Sequence, residues 1–546
     1  MTENAENAEN AENAENVRSA EDAEGRTNPP RPYVNYVESL LEVLARDPGR
    51  PALVPAGGPA VPAGELRDWI LRTAAELAAR GVGRGATVAF LTGNRPEALL
   101  ARYAANLLGA RVVFLSEGMA AEDRARIAES LGPAVLLAAP GAEAAAGALL
   151  ARAAVSAVLS LGPSPEFEDL TAAAALRPPL PVAGAVRPGD DWCVRFTGGT
   201  TGIPKGVRMA HGPYASVLAL YAGRIPAGSR PRALACTPLA HMAGILADIT
   251  LLAGGTVVLM PAFDAGEVLA ALARERVTDL WLLPPLLYEL LDHPDRPAAD
   301  LSALRRLFYG GTAASAGRLR EAARAFGPVL HGWYGQTEAG NIAEVLPHEH
   351  GVTGPGGRPT AGRAAPGVAI EIRGADGRPL PAGQTGEIVV RTPMTMSGYW
   401  RQPGATAEVL RDGWIRTGDV GCLDAAGHLF VVDRLGDEVV VVGGHVHPAE
   451  VEELLLTHPA VARCAVFGVR RADGTEEVHA AVVPVPGREA GPEAIREYVT
   501  LHKGAMYAPR AVHTVDRIPL TEVGKPDKRL LAAALGAPGG PEPAQP

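Results

Sequence analysis

Apolar positions in the first half of the chain gather into short blocks, separated by longer stretches with helical spacing. Thr87–Leu91 is a short apolar run of strand length, and Pro96 opens a segment with Leu99, Tyr103 and Leu107 on one helical face. Residues 109–115 read as the next strand. The pattern recurs at Thr256–Met260 and Asp279–Leu283, two strand candidates with a helical segment between them. Strand, helix, strand at this spacing predicts parallel sheets covered by helices, an α/β architecture. Pro- and Ala-rich residues 172–190 read as a connecting segment, and Gly386-Glu387 begins a further strand. Gly398-Tyr399 reads as a turn, and Ala449–Leu456 as a helix with Pro448 near its first turn.

The two ends break the pattern. Residues 5–16 repeat Ala-Glu-Asn, a polar acidic run with nothing to bury, so residues 1–32 are expected to be a disordered tail. The Gly/Pro-rich residues 536–546 are expected to be another.

Composition narrows the function classes. The chain has 546 residues, enough for two or more domains, and 47% of them are hydrophobic. The net charge is -10 and no basic stripe with interleaved aromatics occurs, which disfavours nucleic acid as a partner. Cys193, Cys236, Cys422 and Cys464 lie far apart and match no metal or redox spacing, as expected of thiols in a reducing compartment. No segment reaches the roughly 18 apolar residues of a membrane span, and no basic-then-apolar leader opens the chain. A cytoplasmic protein is expected.

The segment from Phe196 to Val207 carries the first candidate chemistry. Gly198, Gly199 and Gly202 let the backbone turn sharply and uncover its N–H groups. Thr197, Thr200 and Thr201 add hydroxyls, Lys205 adds a positive charge, and Pro204 stiffens the turn before it. This reads as a phosphate-gripping loop, with a mobile surface loop rich in turn residues as the alternative, but not as the Walker loop, which needs Gly-Lys followed by Ser or Thr. Asp419, exposed after Thr417-Gly418, is suited to accept hydrogen bonds from two ribose hydroxyls. Taken alone, His241 among small residues reads as a packed structural histidine, and Lys525 as a solvated charge.

Taken in order, Phe196–Val207, Tyr334-Gly335-Gln336-Thr337-Glu338, residues 412–419, Asp433-Arg434 and Ile518–Lys525 resemble the AMP-forming adenylating superfamily. That superfamily holds acyl- and aryl-CoA ligases, peptide-synthetase adenylation domains and firefly-type luciferases, and the chain is most similar to the bacterial acyl/aryl-CoA ligases. The resemblance covers about residues 33–535. It implies a large N-terminal domain of helix-covered β-sheets (33–433), a hinge (434–436) and a small mobile α+β C-terminal domain (437–535).

It also implies roles. The loop 197–205 would hold the β,γ-phosphates of ATP. Thr337 and Lys525 would stabilise charge on the α-phosphate, and Glu338 would hold Mg2+. Gly311 and Thr312 would line the adenine and acyl pockets with Tyr334 and Gly335. Asp419 and Arg434 would take the ribose, Arg434 reaching the phosphate as well. His241 would sit beside the reacting carboxylate, and Gly443 and Gly444 would let the arm of coenzyme A pass.

Two positions depart from the superfamily pattern: Gly198 replaces a serine, and Gly436 replaces the usual Asp or Lys of the hinge. Gly436 is expected to loosen the preference between two domain orientations. The implied activity is ATP-dependent formation of an acyl-adenylate from a carboxylic acid, then transfer to CoA. One alternative passes the activated group to a carrier protein, an amine or nitrite, the last as in an aryl-amine diazotase. Another is a non-catalytic nucleotide-binding regulator, which the intact Thr337, Glu338, Asp419 and Lys525 argue against. Oligomeric state does not follow from the sequence, a homodimer being one option.

Overall fold

The computed structural model describes residues 33–116, 119–182, 184, 186–197, 205–354, 357–434, 439–441, 444–471, 476–489, 491–521 and 525–535. The expected tails, most of the phosphate loop (198–204), Gly436 and Gly443 therefore lie outside the described residues.

Two large sheets and a five-stranded antiparallel one (369–373, 386–391, 414–423 and 410–411, with 429–434 also beside 414–423) organise residues 35–434. One is eight-stranded, in the order 398–399, 205–210, 191–197, 111–114, 87–91, 135–138, 157–160, 168–169. Its strands are parallel from 191–197 onward to the far edge, while 191–197 and 205–210 form an antiparallel hairpin. The other is nine-stranded, with 232–235, 256–259, 279–282, 306–310 and 330–336 parallel. The strand at 87–91 and the helix start at Pro96 fall where the apolar pattern puts them. The next strand begins at Arg111 rather than Gly109. Gly109 has φ 74° and donates its N–H to Asn106 O, closing the helix first.

Helices Pro96–Leu107 and Met242–Leu252 belong to the core cluster that joins residues of both sheets, so almost every position on them is buried. One charge pair is carried there: Arg102 donates to Asp248, which also accepts from Tyr103 at 2.6 Å and Tyr214 at 2.5 Å. Three donors on one carboxylate satisfy a charge that is otherwise very costly to bury.

Two expectations are corrected. Gly398-Tyr399 is a short strand on the edge of the eight-stranded sheet, paired with Arg208 and Val207. Gly398 keeps a turn-like φ of 125°, which explains the reading from sequence. Asp419, expected to be exposed, lies half-buried inside the strand Trp414–Leu423. Gly418, at φ 70°, makes a bulge there, where pairing with 386–391 shifts between Glu387 and Val389.

After residue 438 a three-stranded sheet, 461–470, 476–484 and 511–514, carries helices Pro448–Leu455, Pro492–Lys503 and Lys528–Leu535. Val466, Val478, Ala480 and Val482 face one apolar cluster, while Ala465, Phe467 and Ala481 face another, the period-two signature of a sheet covered on both sides. This is the small α+β part. Cys193, Cys236 and Cys422 are buried and all four cysteines are free thiols. No helix of the described residues is long and apolar enough to cross a membrane.

Candidate active site

The hairpin 191–197/205–210 brings the two ends of the phosphate loop together. Thr197 pairs with Lys205 in register, and its Oγ1 approaches Lys205 O at 3.5 Å. The Lys205 ammonium stands 5.2 Å from the centroid of the Tyr399 ring. The hydroxyl of Tyr399 donates to Glu338 Oε1 at 2.9 Å. Burial, reinforced by the Glu338 charge, pushes the Tyr399 phenol well above its ordinary pKa, so it remains a donor. Glu338 follows Thr337 in the tight turn between strands 330–336 and 340–345. Its backbone carbonyl accepts from Met396 N at 2.8 Å, which ties the turn to the chain leading to Tyr399.

A second cluster lies on the preceding residues of that hairpin. Tyr334 donates its hydroxyl to Asp419 Oδ2 at 2.6 Å, and Arg434 Nε stands 3.8 Å from Asp419 Oδ1. Asp419 and Arg434 are register partners on adjacent strands, and Asp419 N donates to Thr417 Oγ1 at 3.0 Å. Gly311, with φ 85°, and Thr312 form the bend that leaves strand 306–310.

His241 precedes helix Met242–Leu252 and borders a cavity of about 60 Å³, with Thr92, Asn94, Arg102, Phe114 and Ser116 also on its wall. Burial, helped by the nearby Arg195 charge, lowers the His241 pKa to about 4. The imidazole is therefore neutral near pH 7. Asn94 holds the His241 loop: its Nδ2 donates to Thr237 O and Met260 O, and its Oδ1 accepts from Leu239 N.

Lys525 is exposed on a loop closed by Thr521 N donating to Lys525 O at 2.6 Å and Lys525 N donating to Thr521 Oγ1 at 3.1 Å. Gly444 begins the strand 444–446, paired with 439–441. The contacts above join Lys205 to Glu338 through Tyr399, and Tyr334 to Asp419 and Arg434. They do not include Lys525 or Gly444. Tyr399 and Asn94 escaped the sequence reading as site residues. Asn94 had one signal, a polar side chain between an all-apolar strand and the Pro96 helix start, whereas Tyr399 becomes meaningful only through pairing with a distant strand.

Comparison with known proteins gives this geometry its class. Residues 40–400 match the AMP-binding enzyme family, and residues 450–525 match the AMP-binding enzyme C-terminal domain. A medium/long-chain-fatty-acid–CoA ligase of Mycobacterium tuberculosis is 34% identical over 513 residues, 90% of this chain and 89% of the relative. A feruloyl-CoA synthase of Amycolatopsis sp is 36% identical over 480 residues, 86% of this chain and 93% of the relative. The solved structure of an amide bond synthetase from Marinactinospora thermotolerans is 38% identical with TM-score 0.82, covering 92% of this chain and 99% of its own. The chain belongs to the AMP-binding enzyme family. Within it, the chain stands among the acyl- and aryl-CoA ligases and their adenylating neighbours.

Proposed function

We propose that this protein is an AMP-forming acid–thiol ligase working in two steps. A carboxylate oxygen attacks the α-phosphorus of ATP, the bond to the bridging oxygen of the β-phosphate breaks, and pyrophosphate leaves. The sulfur of CoA then attacks the acyl carbon of the adenylate, its proton goes to solvent, and AMP leaves. The observation that carries this reading is the Lys205–Tyr399–Glu338 chain of contacts, which ties a cation and a carboxylate to one tyrosine ring at the base of the phosphate loop.

The residues fit the groups they are assigned. Glu338 Oε1 accepts from Tyr399, and Oε2 accepts no hydrogen bond from the described residues, leaving a hard oxygen donor for Mg2+. When bound, Mg2+ neutralises charge on the phosphates. Lys205 and Thr197, with the loop 198–204, hold the β,γ-phosphates. Thr337 donates to the α-phosphate, and Asp419, fixed by Tyr334 and Arg434, orients the ribose. Gly311 and Thr312, with Tyr334 and Gly335, line the adenine and acyl pockets. Neutral His241 orients the reacting carboxylate without adding charge. Lys525, on a segment that moves with the C-terminal part about Gly436, supplies a positive charge to the first step and withdraws for the second, when Gly443-Gly444 admits the thiol arm.

A second reading has an amine as acceptor. It is favoured by the amide bond synthetase, whose 38% identity exceeds that of either ligase above. Both readings share the adenylate, and acid-dependent exchange of labelled pyrophosphate into ATP tests it. Exchange that requires both an acid and Mg2+ supports adenylation. Hydrolysis of ATP without exchange, under saturating acid, refutes it.

A further inference from the structure

Of the 51 Lys and Arg residues in the chain only four are lysines: Lys205, Lys503, Lys525 and Lys528. Lys205 and Lys525 are assigned to phosphates above. The other two grip one helix of the C-terminal part, Pro448–Leu455. Lys503 Nζ donates to Glu450 Oε2 at 2.8 Å, and Lys528 Nζ stands 2.8 Å from Glu452 Oε1. Residues two apart on a helix are turned by about 200°, so the two glutamates leave it on different sides. Glu452 Oε1 also accepts from Val466 N at 2.8 Å, which seats the helix on strand 461–470.

Glu450 has a further partner, and it belongs to the large part. Arg358 Nη2 donates to Glu450 Oε1, while Arg358 Nη1 donates to Val432 O at 2.8 Å, on strand 429–434. Each oxygen of this carboxylate is thus met by a cation, one from each part of the molecule. Arg358 stands on a firm base: just beyond it, Ala361 N and Thr360 Oγ1 both donate to Leu429 O, at 2.7 and 3.1 Å. The Arg358 and Glu450 side chains keep 12% and 18% of their surface exposed, so salt screens this pair far less than a surface one. Arg463 and Glu289 also meet across the boundary at 3.7 Å, but both are well exposed and that pair contributes little.

The far side of the helix leads to Lys525. Lys528 opens helix Lys528–Leu535 three residues after Lys525, and Asp527 N donates to Pro519 O at 2.8 Å, closing the Lys525 loop onto that helix start. A path of contacts therefore runs from Arg358 through Glu450, the helix, Glu452 and Lys528 to the Lys525 loop.

We propose that Arg358 is a positioning residue for Lys525: its pairing with Glu450 fixes helix Pro448–Leu455 against the large part and so sets where the Lys525 loop stands. The pair must separate when the C-terminal part turns, and its strength biases the balance between the two steps. This rests on the two-step reading above.

The test measures single-turnover rates on the full-length protein: adenylate formation from acid and Mg-ATP, and thioester formation from supplied acyl-adenylate and CoA. In Arg358→Gln the ratio of the two rates is expected to shift about tenfold or more, one step slowing while the other holds or quickens. Glu450→Gln should shift it in the same direction. Arg358→Lys, which keeps a charge for Glu450 but loses the fork that also reaches Val432 O, should fall between Arg358→Gln and the wild type. In a Lys525→Ala background, Arg358→Gln should change adenylation by about twofold or less, because its effect on that step runs through Lys525. Equal losses in both steps overturn the proposal, as does an unchanged ratio or an adenylation effect that persists in full without Lys525. Those outcomes leave the two-step reading intact. Wild-type protein that fails to adenylate any acid, or adenylates without forming thioester, overturns that reading and this proposal with it.

Discussion

Tyr399 donates its hydroxyl to Glu338 across 61 residues of sequence, while the same ring lies under the Lys205 ammonium. A strand of 2 residues, paired with the strand that leaves the phosphate loop, is enough to fix both contacts. The lysine proposed to hold phosphate and the carboxylate proposed to hold Mg2+ thus contact one and the same side chain.

Replacing Tyr399 with Phe keeps the ring and removes the donor. The acid-dependent exchange rate is expected to fall about 10–100-fold, the scale of one hydrogen bond to a charged group. Half-saturation by Mg2+ should shift upward. An unchanged Mg2+ dependence, with the rate reduced, would separate Glu338 from the metal.

Lys525→Ala is expected to slow adenylation by about 10²–10³-fold, the scale of a lost transition-state donor. Thioester formation from supplied acyl-adenylate should be nearly intact. Single-turnover measurement of each step decides this, and equal losses in both contradict the assigned role.

The Tyr334–Asp419 bond predicts a nucleotide effect. Asp419→Ala is expected to raise KM for ATP about tenfold or more, and Tyr334→Phe to raise it severalfold in the same direction. Because the two residues touch, the double variant should cost less than the sum of the single ones. Additive losses would show that they act separately.

Asp248→Ala leaves the buried Arg102 charge without its carboxylate, and about 3–5 kcal/mol of stability should be lost. Urea unfolding midpoints measure it. An apolar replacement of both members, Arg102→Met with Asp248→Leu, should recover only part of the loss, because the Tyr103 and Tyr214 hydroxyls still lose their acceptor. A single variant as stable as the wild type contradicts the pairing.

Burial lowers the pKa of His211, His241 and His331 from 6.5 to about 4. The folded values lie below the unfolded ones, so as pH falls the unfolded chain takes up these protons first. Stability contributed by the neutral rings is present above about 6.5 and is lost progressively toward pH 4. Thermal midpoints should therefore fall between pH 7 and 4.5, and unfolding in that range should take up protons. A midpoint that holds or rises on acidification contradicts this.

The alternation of apolar runs made the parallel sheets legible because fully buried strands such as Thr87–Leu91 are continuous in sequence. Pro96 and Pro448 marked helix starts, since a missing N–H is harmless in a first turn. Contacts fixed by strand pairing were not legible. Nothing local in Gly398-Tyr399 says that it will lie against Val207, and Gly418 gives the same signal for a bulge as for a turn. Trp281, Phe308 and Trp333 likewise come from separate strands and meet only in register.

The central claim is adenylation of an acid followed by transfer to CoA, and one experiment addresses it most directly. A panel of carboxylic acids is incubated with Mg-ATP and the protein, in parallel with CoA, with hydroxylamine and with a simple primary amine, and products are read by mass spectrometry. The account predicts that one class of acid yields both hydroxamate and CoA thioester, with AMP formed in equal amount. Hydroxamate and amide without thioester would contradict CoA as the acceptor and place the amine reading first. No AMP and no acyl product from any acid would contradict the account as a whole.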